Sequence, residues 1–226
     1  MEESTSREKV LKRVRNALIY KTDNPFAQVD LESSVYLPME ESEDVNFAQE
    51  LLNAGGQFVY CENEEDLVAT LSAVSRERDW QDVFCFDPEL QYLLTQADIP
   101  FHSGMENISE MKIGITGCEF LISRRGSIMI SSRQPSGRRI NVFPDTHIVI
   151  ANTSQLVPDL KDALAGIREK YGTRIPSLVS VITGPSRTAD IEKTLVLGAH
   201  GPKELIVFLT ELIEVETDEE IESPGT

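Results

Sequence analysis

Apolar residues recur along this chain with two alternating periods, helical and extended, and each change of period marks an element. Val10, Leu11, Val14 and Leu18 fall at helical spacing behind Thr5 and Glu8, a capping-box pair, so a helix stands first, with Lys9, Lys12, Arg13 and Arg15 on its polar face. Residues 21–43 contain Pro25 and Pro38 and no sustained period, which predicts an irregular connection. A second helix carries Val45, Ala48, Leu51 and Leu52 and is stopped by Gly55 and Gly56. A strand over 57–61 follows, then a helix capped by Asn63 with Leu67, Leu71 and Val74 inward, a buried strand over 83–86, and a helix announced by Asp87 and Pro88. Short apolar strands alternating with amphipathic helices predict parallel β-α-β packing.

From residue 113 the pattern changes. The runs 113–116, 127–132, 140–143 and 147–151 are β-rich and separated by Gly and Pro turns too short for crossover helices. Such spacing predicts antiparallel pairs or a β-rich insertion. A helix over 158–170, with Leu160, Leu164 and Ile167, restores the alternation, and strands over 177–183, 195–197 and 205–209 finish the core. The expected organisation is an N-terminal helix and irregular connection (1–42), an α/β domain (43–210) and a solvated acidic tail (211–226).

Charge narrows the possible partners. Thirty-eight acidic residues against 21 basic ones give a net charge of −17, which excludes a fold-wide grip on nucleic acid or anionic lipid. No apolar run reaches the roughly 18 residues of a membrane span, and the first ten residues are polar and acidic, so a cytoplasmic protein is expected. Cys61, Cys85 and Cys118 are scattered inside apolar runs, and the three histidines are dispersed. Neither pattern predicts a disulfide framework, a metal site or an iron–sulfur cluster in this chain.

The charge is unevenly spread. The window 120–144 has no acidic residue and five arginines, Arg124, Arg125, Arg133, Arg138 and Arg139. Any one of them could pair with a distant carboxylate, but together with Gly126, Ser127 and Gly137 they point to an anion site, because guanidinium forks match carboxylate and phosphate geometry. A second constellation, Gly184, Ser186, Arg187, Thr188, Asp190 and Glu192, follows the β-branched run VSVIT. It is expected on a loop at a strand's carboxyl end, where open α/β sheets build ligand sites, rather than serving only as a capped turn. Gly198, His200 and Gly201 place a histidine on a tight exposed turn. Thr116, Gly117 and Glu119 form a corner in which Glu119 could act as a catalytic carboxylate or bind an amide. Cys118 beside that acid is read as structural, since a neighbouring carboxylate disfavours the thiolate. No GxGxxG, GxxxxGK[ST] or GxSxG motif occurs.

The segments GITGCEFLISRRGSIMISS (114–132), GRRINVFPDTHIVIA (137–151) and ITGPSRTADIEKTLVLGAHGPKEL (182–205) together resemble the LUD-domain family, of the bacterial lactate utilization protein C type. The resemblance covers about residues 46–209 and implies an α/β, NagB/RpiA/CoA-transferase-like mixed sheet flanked by helices with a β-rich portion. It also implies work with two iron–sulfur partner proteins in oxidising L-lactate to pyruvate. No cofactor is expected in this chain, and the clusters belong to the partners. Glu119, Asp190, Glu192 and His200 are then the candidate catalytic residues. Thr116, Gly126, Ser127, Arg138, Gly184, Ser186, Arg187, Thr188, Gly198 and Gly201 are the candidate substrate-binding ones. Two alternatives stay open: a stand-alone sugar-phosphate isomerase or CoA/acyl transferase using a carboxylate as base or nucleophile, and a regulatory binding module without turnover.

Overall fold

The computed structural model describes residues 5–19, 25–26, 28–30, 36, 38–104, 106, 111–191 and 194–211, and of residues 189–191 and 194–197 the backbone alone. The chain divides into two units, 1–38 and 39–226. In the first, helix α1 (Ser6–Ile19) forms behind the expected capping box. The Thr5 amide donates to Glu8 Oε2 at 2.8 Å and the Glu8 amide to Thr5 Oγ1 at 3.4 Å. None of the α1 residues is buried.

The second unit runs α2 (Glu43–Asn53), β1 (Gln57–Cys61), α3 (Glu64–Glu77), β2 (Val83–Cys85), α4 (Pro88–Gln96) and β3 (Ile113–Thr116). It continues with β4 (Phe120–Ile122), β5 (Ser127–Ser131), β6 (Thr146–Asn152), β7 (Leu156–Val157), α5 (Leu160–Tyr171), β8 (Val179–Ile182), β9 (Arg187–Ile191), β10 (Thr194–Leu197) and β11 (Glu204–Thr210). Asn63 and Asp87 cap α3 and α4 as their spacing predicts, each accepting an amide of the first turn. β1, β11, β6, β3 and β2 form, in that order, a five-stranded sheet in which every neighbouring pair is parallel. β7, β4, β5 and β8 form a second, four-stranded sheet joined mainly by antiparallel pairs. That second sheet is the β-rich portion.

Alternation along the parallel strands sorts the core into two faces. Ile113, Ile115, Ile148, Ile150, Ile206 and Phe208 pack with Leu67, Leu71, Leu90 and Leu94 of α3 and α4. Val149, Ala151, Leu205, Val207 and Leu209 pack the other way, against Phe47 and Leu51 of α2 and Leu121, Ile128 and Ile130 of the second sheet. α5 covers that sheet's far side through Ala163 and Ile167 on Ile122 and Met129. Burying each of these large side chains contributes roughly 1.5–3 kcal/mol, so the layered stack is the main source of stability.

Two expectations change. Residues 140–143 form turns rather than a strand, with the Val142 and Phe143 amides both donating to the Arg139 carbonyl at 3.0 and 3.1 Å. Of their apolar residues Ile140 is fully buried and lies flat on Gly114, where a Cβ would come within 2.7 Å of the Ile140 carbonyl oxygen, whereas Val142 and Phe143 are exposed. Arg187–Ile191 is a strand, paired antiparallel with β10, rather than part of a loop. Small and polar residues hid its extended period.

Candidate functional site

Parallel strands all end at one edge of their sheet, and the side chains and amides just beyond those ends converge on a single crevice. Here the carboxyl ends of β2, β3, β6 and β11 deliver Asp87, Gly117, Asn152 and Glu211 to a cleft of about 960 Å³. The amino ends of α3 and α4 bring Glu64 and Glu89 to it, and Leu67, Leu90 and Leu93 make an apolar wall. The end of β5 and the last turn of α5 bring Arg133, Gln134, Lys170 and Tyr171. Gly117 forms open floor between Asp87 and Gln134: a Cβ built there would lie 3.9 Å from Asp87 Oδ2, Gln134 Nε2 and the Ile150 carbonyl oxygen.

Behind this floor Glu119 is buried, with a hydrogen-bonding partner on each oxygen. Its Oε2 accepts from Lys170 Nζ at 2.8 Å, and its Oε1 accepts from Ser131 Oγ at 2.5 Å and Tyr171 OH at 2.7 Å. Burial pushes the Glu119 carboxyl up, but the three donors outweigh it and hold the group below the usual carboxylate value. Burial likewise pulls Lys170 down, and the bond and charge of Glu119 reverse that, keeping the ammonium above its ordinary value. Ser131 Oγ also accepts the Arg133 backbone amide at 3.1 Å, while the Arg133 guanidinium donates to the Arg174 carbonyl at 3.4 Å. Gln134 is fixed too, its Oε1 accepting the Ser131 amide at 2.9 Å, which leaves its amide nitrogen beside the floor. Cys118 is buried and its thiol pushed far up, by burial first and Glu119 second, so it stays a protonated, inert packing group.

Thr116 and His147 sit one layer beneath. Thr116 Oγ1 lies 2.9 Å from His147 Nε2, both fully buried, and Nδ1 of the histidine has no hydrogen-bond partner. Burial drops this histidine to about 4, so it is neutral at physiological pH.

The candidate residues part company in the fold. Arg133 of the arginine window lines the cleft, whereas Glu119 and Thr116 are buried behind its floor. Arg124 pairs with Asp159 at 3.1 Å, and Arg138 donates to Ser177 Oγ at 2.6 Å beside a separate 120 Å³ pocket. Gly126 adopts a left-handed φ of 55° against α2, where a Cβ would fall 2.1 Å from the Leu51 nitrogen, and Ser127 Oγ shares a 2.8 Å hydrogen bond with Thr183. Gly184, Ser186, Arg187, Gly198 and Gly201 gather at the opposite, amino edge of the parallel sheet. Arg187 donates to the Ala54 carbonyl just before β1 at 2.5 Å, a Cβ on Gly184 would meet that same carbonyl, and the Ser186 amide donates to the Pro202 carbonyl just before β11 at 2.8 Å. The reason is topological: β8 belongs to the second sheet, so its carboxyl end does not share the parallel sheet's crevice. Thr188 lies in β9 opposite Val196, Asp190 belongs to the same strand, His200 is exposed on its turn, and Glu192 lies outside the described residues. Sequence reasoning passed over Lys170, Tyr171, Asp87 and Gln134 as site residues. Asp87 and Lys170 carry ordinary helix-end signals, a cap and a last-turn cation, and nothing local tells that the two ends meet.

Among the described residues no three His, Cys, Asp or Glu side chains group as metal ligands, and no helix is long and apolar enough to cross a membrane. The family model described as LUD domain matches residues 46–210. The Lactate utilization protein C of Bacillus licheniformis is 37% identical over 114 residues, 48% of this chain and 48% of that protein. The Lactate utilization protein C of Bacillus subtilis is 38% identical over 104 residues, 44% of this chain and 43% of that protein. The chain thus spans about half the length of the curated relatives it matches. The crystal structure of a DUF162 family protein from Deinococcus radiodurans superposes with a TM-score of 0.53 at 19% identity, covering 76% of this chain and 99% of that one, and shares the fold.

Proposed function

The chain belongs to the LUD domain family, and from that premise we propose that it is a cytoplasmic subunit of a bacterial lactate utilization system, binding a small organic anion in its carboxyl-edge cleft. Oxidation of L-lactate to pyruvate releases two electrons and two protons. In this reading the electrons pass to clusters in iron–sulfur partner proteins, since this chain offers three dispersed, buried cysteines and no cluster motif. One observation carries the anion-binding reading: an ammonium, Lys170, is fastened by a buried carboxylate and faces the cleft at the edge where α/β sheets bind ligands. In the isomerase and transferase alternatives the same bonds weigh against Glu119 as base or nucleophile, because the carboxylate is buried and already accepts from three donors; they do not bear on Asp190 or Glu192.

Complementation tests the reading. Expressed in a Bacillus subtilis strain lacking its Lactate utilization protein C, this chain should restore growth on L-lactate and should co-purify with iron–sulfur proteins. Failure to restore growth, together with no iron–sulfur protein in the pull-down, overturns it.

A further inference from the structure

The four-stranded sheet ends in a strand with an open side. β8 is last in the order β7, β4, β5, β8, and among the described residues it pairs with β5 alone. The Ser132 amide donates to the Leu178 carbonyl at 3.0 Å, which makes 132 and 178 a hydrogen-bonded pair. By antiparallel alternation Ser180 and Ile182 then bond to β5, while Val179 and Val181 turn their amides and carbonyls outward. The Met129 carbonyl, opposite Val181, fixes the same phase by accepting the Glu119 amide on the other side of β5 at 2.8 Å. Val179–Ile182 carries no charge, proline or bulge, the usual guards of a free edge, and Val181 is 45% exposed. We propose that this edge is a docking strand, to which an extended, acidic segment of a partner protein adds as a fifth strand with its carboxylates on Arg133 and Arg138. The proposal goes beyond the cleft reading and does not depend on it.

Charge selects the occupant. In a chain of net charge −17, neither Arg133 nor Arg138 has a carboxylate within ion-pair reach among the described residues. Both instead reach the segment that leads into β8, Arg133 donating to the Arg174 carbonyl at 3.4 Å and Arg138 to Ser177 Oγ at 2.6 Å. Guanidinium groups held by neutral acceptors keep their charge and further donors for an incoming carboxylate. A second copy of this chain fits poorly: β8 laid antiparallel on β8 brings each arginine end against Thr183, Gly184 and Pro185, which offer no carboxylate. Beside the edge, Leu178, Ser180 and Ile182 line the 120 Å³ pocket with Arg138, Asn141 and Val142. Asn141 is buried and its Oδ1 has no hydrogen-bond partner among the described residues, so a threonine of the added strand suits the pocket by volume and by its hydroxyl donor. Main-chain bonds then give affinity, and the pocket and arginines give specificity.

Fluorescence anisotropy of the full chain with labelled heptapeptides tests this. The probes alternate threonine and valine and carry two glutamates at the carboxyl end, for antiparallel addition, or at the amino end, for parallel addition. At least one should bind, its lysine-ended counterpart should bind about tenfold more weakly, and Arg138→Glu should weaken the acidic peptide to a similar degree. Val181→Pro removes an outward amide that makes no internal bond, so it should abolish binding with Tm nearly unchanged, whereas Val181→Thr should bind like the native chain. Hydrogen exchange on the native chain gives a readout that needs no variant: the Val179 and Val181 amides should exchange faster than those of Ser180 and Ile182, and slow about tenfold when peptide saturates the protein. No binding by either acidic peptide, equal binding of the lysine-ended peptides, or Val179 and Val181 amides left unprotected in the complex each overturns the proposal. Binding that survives Val181→Pro but is lost in Arg138→Glu identifies a bare anion patch and overturns strand addition. The cleft and family readings stand under every one of these outcomes.

Discussion

His147 is a base held neutral, with a folded value near 4 against an ordinary 6.5. As pH falls below 6.5 the unfolded chain takes up a proton that the folded chain refuses, so stability declines until about pH 4 and then levels off, a loss of about 3 kcal/mol. Urea midpoints measured from pH 7.5 to 4 should show that slope, and His147→Gln should flatten it. Glu119 acts lower on the scale. Its folded value is depressed, so its stabilisation is present above the ordinary carboxylate value and is lost as pH falls through the lower folded one. Glu119→Gln should therefore blunt the acid limb below about pH 4.5 while leaving the histidine slope intact. At Gly126 a Cβ would overlap the backbone of α2, and φ is left-handed as well, so Gly126→Ala should cost on the order of 3 kcal/mol in the same measurement. Nothing in the sequence separates Gly126, a packing glycine, from Gly117, a glycine that opens a floor. The difference lies in what stands opposite each.

Among the elements, α5 shows how local signals carry tertiary weight. Asp159 caps the helix, its Oδ1 accepting the Leu160 amide at 2.7 Å, and its Oδ2 also accepts from Arg124 beside β4. Removing it costs a cap and a half-buried ion pair together, so Asp159→Ala should lower stability by about 2 kcal/mol in chemical denaturation. Because this helix ends in Lys170 and Tyr171, the variant should also loosen the Glu119 cluster and weaken anion binding in the cleft. The capped, periodic helices were readable because cap and period reside in adjacent residues, as at Asn63 and Asp87. β9 and the 140–143 turns were not, since β9 is written in small and polar residues and the apolar run 140–143 imitates a strand although only Ile140 and Asn141 of it are buried.

Across the whole molecule, a net charge of −17 at pH 7 opposes compaction through self-repulsion. Added salt should screen it, so Tm is expected to rise between 20 and 200 mM sodium chloride, read by differential scanning fluorimetry, and the protein should not be retained on heparin. The sequence by itself determined the α/β class, the helix caps, the acidic balance with its arginine window, and the LUD resemblance, because propensity, period, charge and motif are properties of neighbouring residues. Only the tertiary structure decided which candidates meet. It gathers Glu119, Lys170, Tyr171, Ser131 and Asp87 at one end of the parallel sheet, and it sends Gly184, Ser186, Arg187 and Gly201 to the other. Strand order and the division into two sheets set that partition, through contacts between residues dozens to more than a hundred positions apart.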